Sequence, residues 1–210
     1  MTGSMEAATP PTKCTHCHQP MRSPVFCQNC RVINPVPPDT DYFTIFGLPR
    51  RYQLDEKELH KRFLNLTRDV HPDRFATSAP ETINVTMRLA AQVNEAHEVL
   101  KDPVLRAEYL LQQAGGKRPS EEKGAPGGML AEVMELREQI EEAVSRDDRT
   151  ALEELRRRVN DMHAEVQETV ASLAEAVADQ PEAEDLQELR AYLNGIKYVR
   201  NLQDLLSDKV

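Results

Sequence analysis

Apolar residues recur along much of this chain at alternating steps of three and four, the spacing that gathers them on one face of an α-helix. The pattern is most regular after residue 128. Leu152, Leu155, Val159, Met162, Val166, Val170, Leu173 and Val177 form one stripe, broken at Asp179 to Pro181. Leu186, Leu189, Leu193, Ile196, Val199 and Leu206 form the next. Before both, Val133, Leu136, Ile140 and Ala143 share a face of a helix predicted over about Met129 to Ser145. Three such helices joined by short loops predict an antiparallel bundle over 129–207.

A second amphipathic region covers 40–112. Asp41 to Phe46 reads as a short helix ended by Gly47-Leu48-Pro49. Asp55, with Glu58 three residues on, opens the next helix as a variant capping box. Leu59, Phe63, Leu66 and Val70 line its apolar face, and it ends before His71-Pro72, because the residue before a proline disfavours helical geometry. A third helix runs from about Glu81 to Lys101 with Leu89, Val93, Ala96 and Leu100 inward, and Asp102-Pro103 restarts the chain as a short helix through Leu111. Two longer helices packed antiparallel across the His71-Pro72-Asp73 bend would bury both stripes. Residues 113–128, with glycine and proline clusters at each end, read as a flexible linker or long loop.

Cysteine usage adds a third unit. All four cysteines fall between Cys14 and Cys30, as Cys14-x-x-Cys17 and Cys27-x-x-Cys30 separated by nine residues. Two such knuckles facing each other supply four thiolates in tetrahedral array, which suits a structural Zn²⁺. So short a segment buries too little apolar surface to fold alone, so the metal would supply its folding free energy. His16 and His18 are alternative ligands that four cysteines make unnecessary; an iron centre and a redox dithiol pair are the rival chemistries. The module is placed at 14–33, behind a disordered tail over 1–13, and Asn34-Pro35-Val36-Pro37-Pro38 spaces it from the first helical region.

Composition narrows the class. The chain has 210 residues, 40% hydrophobic and 29% charged, no Trp, and a formal net charge of -9. Such a balance argues against wrapping a phosphate backbone, and no apolar run reaches the roughly 20 residues of a bilayer span. Met1 to Lys13 shows no apolar core of a secretory signal, and no Arg of a mitochondrial presequence, so a cytoplasmic protein is expected. Against the acidic background, His60 to Arg68 carries a formal charge of +3 with no acid. Lys57, Lys61, Arg62 and Arg68 are placed on the exposed face of that helix, where they would steer docking to an acidic protein surface; a merely solvated face is the plain alternative. His71 has no nucleophile motif near it, and no catalytic residue is expected.

Taken in order, Tyr42 to Leu48, Lys61-Arg62-Phe63, His71-Pro72-Asp73-Arg74-Phe75, Val93-Asn94-Glu95-Ala96, Val99-Leu100, Asp102-Pro103 and Arg106-Ala107 resemble a J-domain. The resemblance implies that His71, Pro72 and Asp73, with the basic helix before them, engage the ATPase of a DnaK/HscA-type chaperone. Where this chain has His97 the family often has Tyr, a core-packing change. Arg106 to Leu111, together with Met134-Glu135-Leu136-Arg137-Glu138, extends the likeness to HscB-type co-chaperones of iron–sulfur cluster assembly, some of which carry amino-terminal cysteine knuckles. That likeness implies an IscU-type scaffold protein as cargo of the bundle. Leu130 and Met134 lie on a face next to the core stripe of the first bundle helix, rimmed by Glu135 and Glu138; Tyr198 lies off the stripe of the last helix, with Lys197 beside it. These six are the expected scaffold contacts, the bland reading being that Leu130 and Met134 pack against the linker or the J-domain. From Met129 to Asp179 the chain holds 14 acids and six bases, which sets an acidic bundle against a basic hairpin.

The expected protein is therefore all-α: a J-domain hairpin, a three-helix antiparallel bundle and a small zinc module. It acts as an adaptor that stimulates a chaperone's ATPase and delivers a scaffold. A J-domain protein delivering other clients in general folding is the alternative, and a metal-dependent redox enzyme a third. No nucleic acid or membrane partner is expected. The oligomeric state stays open, a dimer included. So does the role of the zinc module: dimerisation, orienting the J-domain or stability.

Overall fold

The structure is a computed structural model that describes residues 12–34 and 36–207. The tail expected over 1–13 therefore lies outside the described residues, apart from Thr12 and Lys13. The described residues form seven α-helices and no strand: α1 Tyr42–Phe46, α2 Glu56–Asp69, α3 Pro80–Lys101, α4 Pro103–Gln113, α5 Met129–Ser145, α6 Arg149–Asp179 and α7 Ala183–Ser207. None is long and apolar enough to cross a membrane. Contacts divide the chain into two compact units. One joins the cysteine module to α1–α3. The other joins α4–α7 with residues 51–53.

In the first unit, local chemistry sets each boundary. Asp41 caps α1 by accepting from Thr44 N, and Gly47 ends it in the left-handed conformation at φ 63°. Asp55 caps α2 by accepting from Lys57 N and Glu58 N. The reciprocal half of a capping box is replaced: the Glu58 carboxylate accepts from Arg62 Nε at 2.8 Å. α2 and α3 pack together through Leu59, Leu66, Val70, Leu89, Val93, Ala96 and Leu100, all buried. Phe63 is half-buried and stacks on His97, with ring centroids 3.9 Å apart. Burial, then a hydrogen bond to Glu95 of α3, pushes the Tyr42 phenol up to about 12.

The second unit has four helices, since α4 packs on both α6 and α7. The sequence joins α4 to the hairpin; its contacts join it to the bundle. Arg190 of α7 is fully buried and donates to Glu108 of α4 at 2.6 Å. Arg106 of α4 lies over the Tyr52 ring, 5.0 Å from its centroid, and Glu175 of α6 accepts from the backbone N–H groups of Tyr52 and Gln53. The stripe of α6 shifts near its end: Leu173 is half-buried and Ala174 takes the core position, which continues the four–three spacing from Val170 to Val177. On α7, Leu186 is half-buried and Leu202 joins the core. The segment between α4 and α5 is tied to α7. Buried Asn194 donates to the carbonyls of Glu122 and Gly124, and Met129 and Pro126 crowd Gly195.

Candidate functional site

The bend after α2 is rigid. Pro72 starts a 3-10 turn over Pro72–Phe75, where its fixed φ and missing N–H suit the first helical position. His71 caps that turn: its Nδ1 accepts from Asp73 N at 3.3 Å, which places the ring proton on Nε2. The Asp73 carboxylate lies 3.6 Å from the same Nδ1, too far to compete with that bond. Arg74 ties the turn back to α2 through Asp69 Oδ1 at 3.5 Å and Arg68 O at 3.4 Å. The Asp73 side chain is 89% exposed and that of His71 52%, so a donor and a carboxylate stand in solvent on a fixed frame.

Along α2 the cations differ in freedom. Lys57, Lys61 and Arg68 are exposed. Arg62 is half-buried: Nη1 donates to Phe46 O at 2.9 Å and Gly47 O at 2.6 Å, so it fastens α2 to the end of α1. The reason is its place one step from the buried face, within reach of the orphan carbonyls that end α1. Sequence reasoning passed over Leu64. It is 54% exposed, off the core stripe, and lies three residues after Lys61 and four before Arg68. An apolar residue isolated on a basic face was its signal.

The four cysteine sulfurs come together. Cys14 and Cys30 Sγ are 3.4 Å apart, Cys17 and Cys27 Sγ 3.6 Å, and all four lie within 4.8 Å of one another. Tetrahedral Zn–S bonds of about 2.3 Å would set sulfurs roughly 3.8 Å apart, so the set fits such an ion. Both knuckles share one backbone path. His18 N donates to Cys14 O and Arg31 N to Cys27 O, and His18 and Arg31 adopt φ 58° and 60°. Asn34, fully buried, accepts from Thr15 N and Thr15 Oγ1 and closes the module. Backbone N–H groups, that of Cys17 foremost, pull the Cys14 thiol down to about 6. The Asn29 amide lowers Cys17, while burial pushes Cys30 up to about 12. Holding all four sulfurs as thiolates this close together would need a cation to offset their charge. His16 and His18 are exposed and stand outside the cluster.

On the bundle, Leu130 is 43% exposed, Met134 63% and Tyr198 37%, while Val133, Leu136, Ile140 and Ala143 beside them are buried. Glu135, Glu138 and Lys197 are exposed. Met129 Sδ would lie 2.3 Å from a Cβ at Gly195, so the start of α5 meets α7 one turn before Tyr198. Packing inside this unit thus leaves Leu130 and Met134 outside its core.

A helical hairpin carrying an exposed His-Pro-Asp tip, in a chain that also holds a long-helix bundle, defines a J-domain protein. The DnaJ domain family matches residues 41–109, and the HSCB C-terminal oligomerisation domain family matches 125–207. A co-chaperone protein HscB homolog of Bordetella petrii is 39% identical over 134 residues, which are 63% of this chain and 78% of that protein. Among solved structures, human co-chaperone protein HscB superposes with a TM-score of 0.72 at 26% identity, covering 94% of this chain and 98% of that one. Chaperone HscB from Vibrio cholerae gives 0.65 at 30% identity, covering 80% and 96%. The chain belongs to the HscB co-chaperone family.

Proposed function

We propose that this chain is an adaptor in iron–sulfur cluster assembly that couples a DnaK/HscA-type chaperone to an IscU-type scaffold. The observation that carries the reading is the His71-Pro72-Asp73 turn at the end of a basic helix, with the His71 and Asp73 side chains in solvent. Lys61, Arg62 and Arg68 supply the positive field that steers an acidic face of the ATPase onto α2. Asp73 then offers its carboxylate to a cationic group of the chaperone, and His71 Nε2–H a donor, from a loop whose geometry is already set. No bond is made or broken on this chain; it biases the conformation in which the chaperone hydrolyses ATP.

The bundle holds the scaffold through Leu130, Met134 and Tyr198, with Glu135, Glu138 and Lys197 at the rim. Exposed apolar anchors edged by charge are the usual build of a protein-docking face. Carrying the scaffold on the same chain as the J-domain raises its effective concentration at the chaperone. Cys14, Cys17, Cys27 and Cys30 hold one closed structural Zn²⁺, which keeps the module folded and offers no open coordination position. A cytoplasmic location fits this use of the cysteines, since a reducing compartment favours metal over disulfides for clustered thiols.

Two variants separate the roles. His71→Gln is expected to abolish ATPase stimulation and keep scaffold binding. Replacing Leu130, Met134 and Tyr198 together by Ala is expected to do the reverse. Loss of both activities in each variant, with the fold intact, would overturn the division of labour.

A further inference from the structure

The cysteine module does not hang from the J-domain; it builds one wall of a cleft with it. Ser23, buried in the module, donates through Oγ to Ile45 O of α1 at 2.7 Å. The Arg22 carbonyl sits so close over Gly47 that a Cβ there would lie 2.0 Å from it. Gly47 in turn accepts from Arg62 of α2. Module, α1 turn and α2 are thus one continuous set of contacts within the first unit.

Between module and α2 these contacts leave a cleft of about 330 Å³. Its floor includes Phe46 and Leu66, both buried. Its cations are Arg22 on the module side and Lys61, Arg62 and Arg68 on the α2 side, against the carboxylates of Glu58 and Asp69. Both carboxylates are engaged, Glu58 by Arg62 at 2.8 Å and Asp69 by Arg74 at 3.5 Å. Among the described residues no carboxylate pairs with Arg22 or Arg68. In a chain of net charge -9 this is a cationic slot with an apolar floor.

We propose that the cysteine module and α2 together receive an extended acidic segment of the ATPase partner, with Arg22 and Gln28 as contacts from the module wall. This rests on the reading of the chain as a chaperone activator and adds a wall, that of the cysteine module, outside both family matches, which begin at residues 41 and 125. An acidic segment is the occupant because four cations and two carboxylates line the slot, both carboxylates are already engaged, and Arg22 and Arg68 have no carboxylate partner among the described residues. An apolar residue beside the acids would reach the floor.

The test uses the full chain and a DnaK/HscA-type chaperone, with ATP hydrolysis followed against co-chaperone concentration. Arg22 and Gln28 are exposed and Arg22 contributes its carbonyl, not its side chain, to the fold. Arg22→Glu and Gln28→Glu are each expected to raise the half-maximal concentration roughly threefold to tenfold with the plateau unchanged, and the effect should shrink at high salt. Arg22→Lys should behave as the parent chain. Native mass spectrometry and thermal melts check that each variant keeps its metal and its fold; Gln28→Glu carries the test alone if Arg22→Glu does not. Unchanged half-maximal concentrations in variants that fold, with His71→Gln still abolishing stimulation, would overturn the cleft and leave the activator reading standing. Stimulation that survives His71→Gln would overturn both.

Discussion

Removing the Glu108 carboxylate should destabilise the α4–α7 unit far more than a surface ion pair would. Arg190 has no exposed side-chain surface; among the described residues its guanidinium meets one carboxylate, at 2.6 Å, and its buried Nε and Nη2 have no hydrogen-bond partner. Glu108→Gln keeps the shape and removes the charge, so Arg190 is left buried and uncompensated. Breaking a buried pair in this way costs about 3–5 kcal/mol, against about 0–1 kcal/mol for an exposed pair. Because the Glu108 side chain is 19% exposed, the lower end of that range, about 3 kcal/mol, is expected. Replacing both partners, Glu108→Leu with Arg190→Met, should recover most of the loss, since an apolar pair of similar volume is often neutral or better. The chain has no Trp and five Tyr, so urea unfolding is best followed by far-UV circular dichroism together with Tyr fluorescence. A loss under about 1 kcal/mol in Glu108→Gln, or a double variant as weak as the single one, would refute the buried-charge argument.

Gly47→Ala should cost about 2 kcal/mol or more, from a left-handed φ of 63° and a collision with the Arg22 carbonyl, and thermal melts would read it. Burial holds His97 below the ordinary 6.5, with Lys101 and His60 adding to it and Glu98 opposing; burial, then Arg200, does the same for His163. Because the unfolded chain takes up those protons first, stability should be full above pH 6.5 and fall as pH drops through the depressed folded values. His97→Tyr should remove the first unit's share of that loss, which urea midpoints measured from pH 7.5 to 5 would show. A strong chelator should unfold the cysteine module while leaving helical circular dichroism nearly unchanged, since the helices lie outside it.

Much of the architecture arises from local chemistry, and so was legible along the chain. The three–four spacing marks α2, α3 and α5–α7, Asp55 announces its cap, Pro72 ends α2, and the cysteine spacing gathers the sulfurs. What escaped is non-local. Nothing local marks Arg190 of α7 as a core residue; its partner Glu108 lies 82 positions away. The glycine-rich segment reads equally as a linker or a long loop, and nothing in it announces Asn194, some 70 residues on, which takes two of its carbonyls. The cysteine module reads as spaced off by prolines, yet it docks through one hydroxyl and one carbonyl, groups that leave no pattern in a sequence. Arg62 is the same lesson within the site: its neighbours on α2 face solvent, while it is recruited by the open carbonyls ending α1. At Leu173 and Ala174 the larger residue drew the stripe to the wrong position, and helical phase chose the smaller.

The most direct test of the central claim is single-turnover ATP hydrolysis by a DnaK/HscA-type chaperone, with and without the full chain, and again with an IscU-type scaffold added. The account predicts faster hydrolysis with this chain, a further gain with scaffold present, and return to the basal rate in His71→Gln. A rate indifferent to the chain, or a gain that survives His71→Gln, would contradict it.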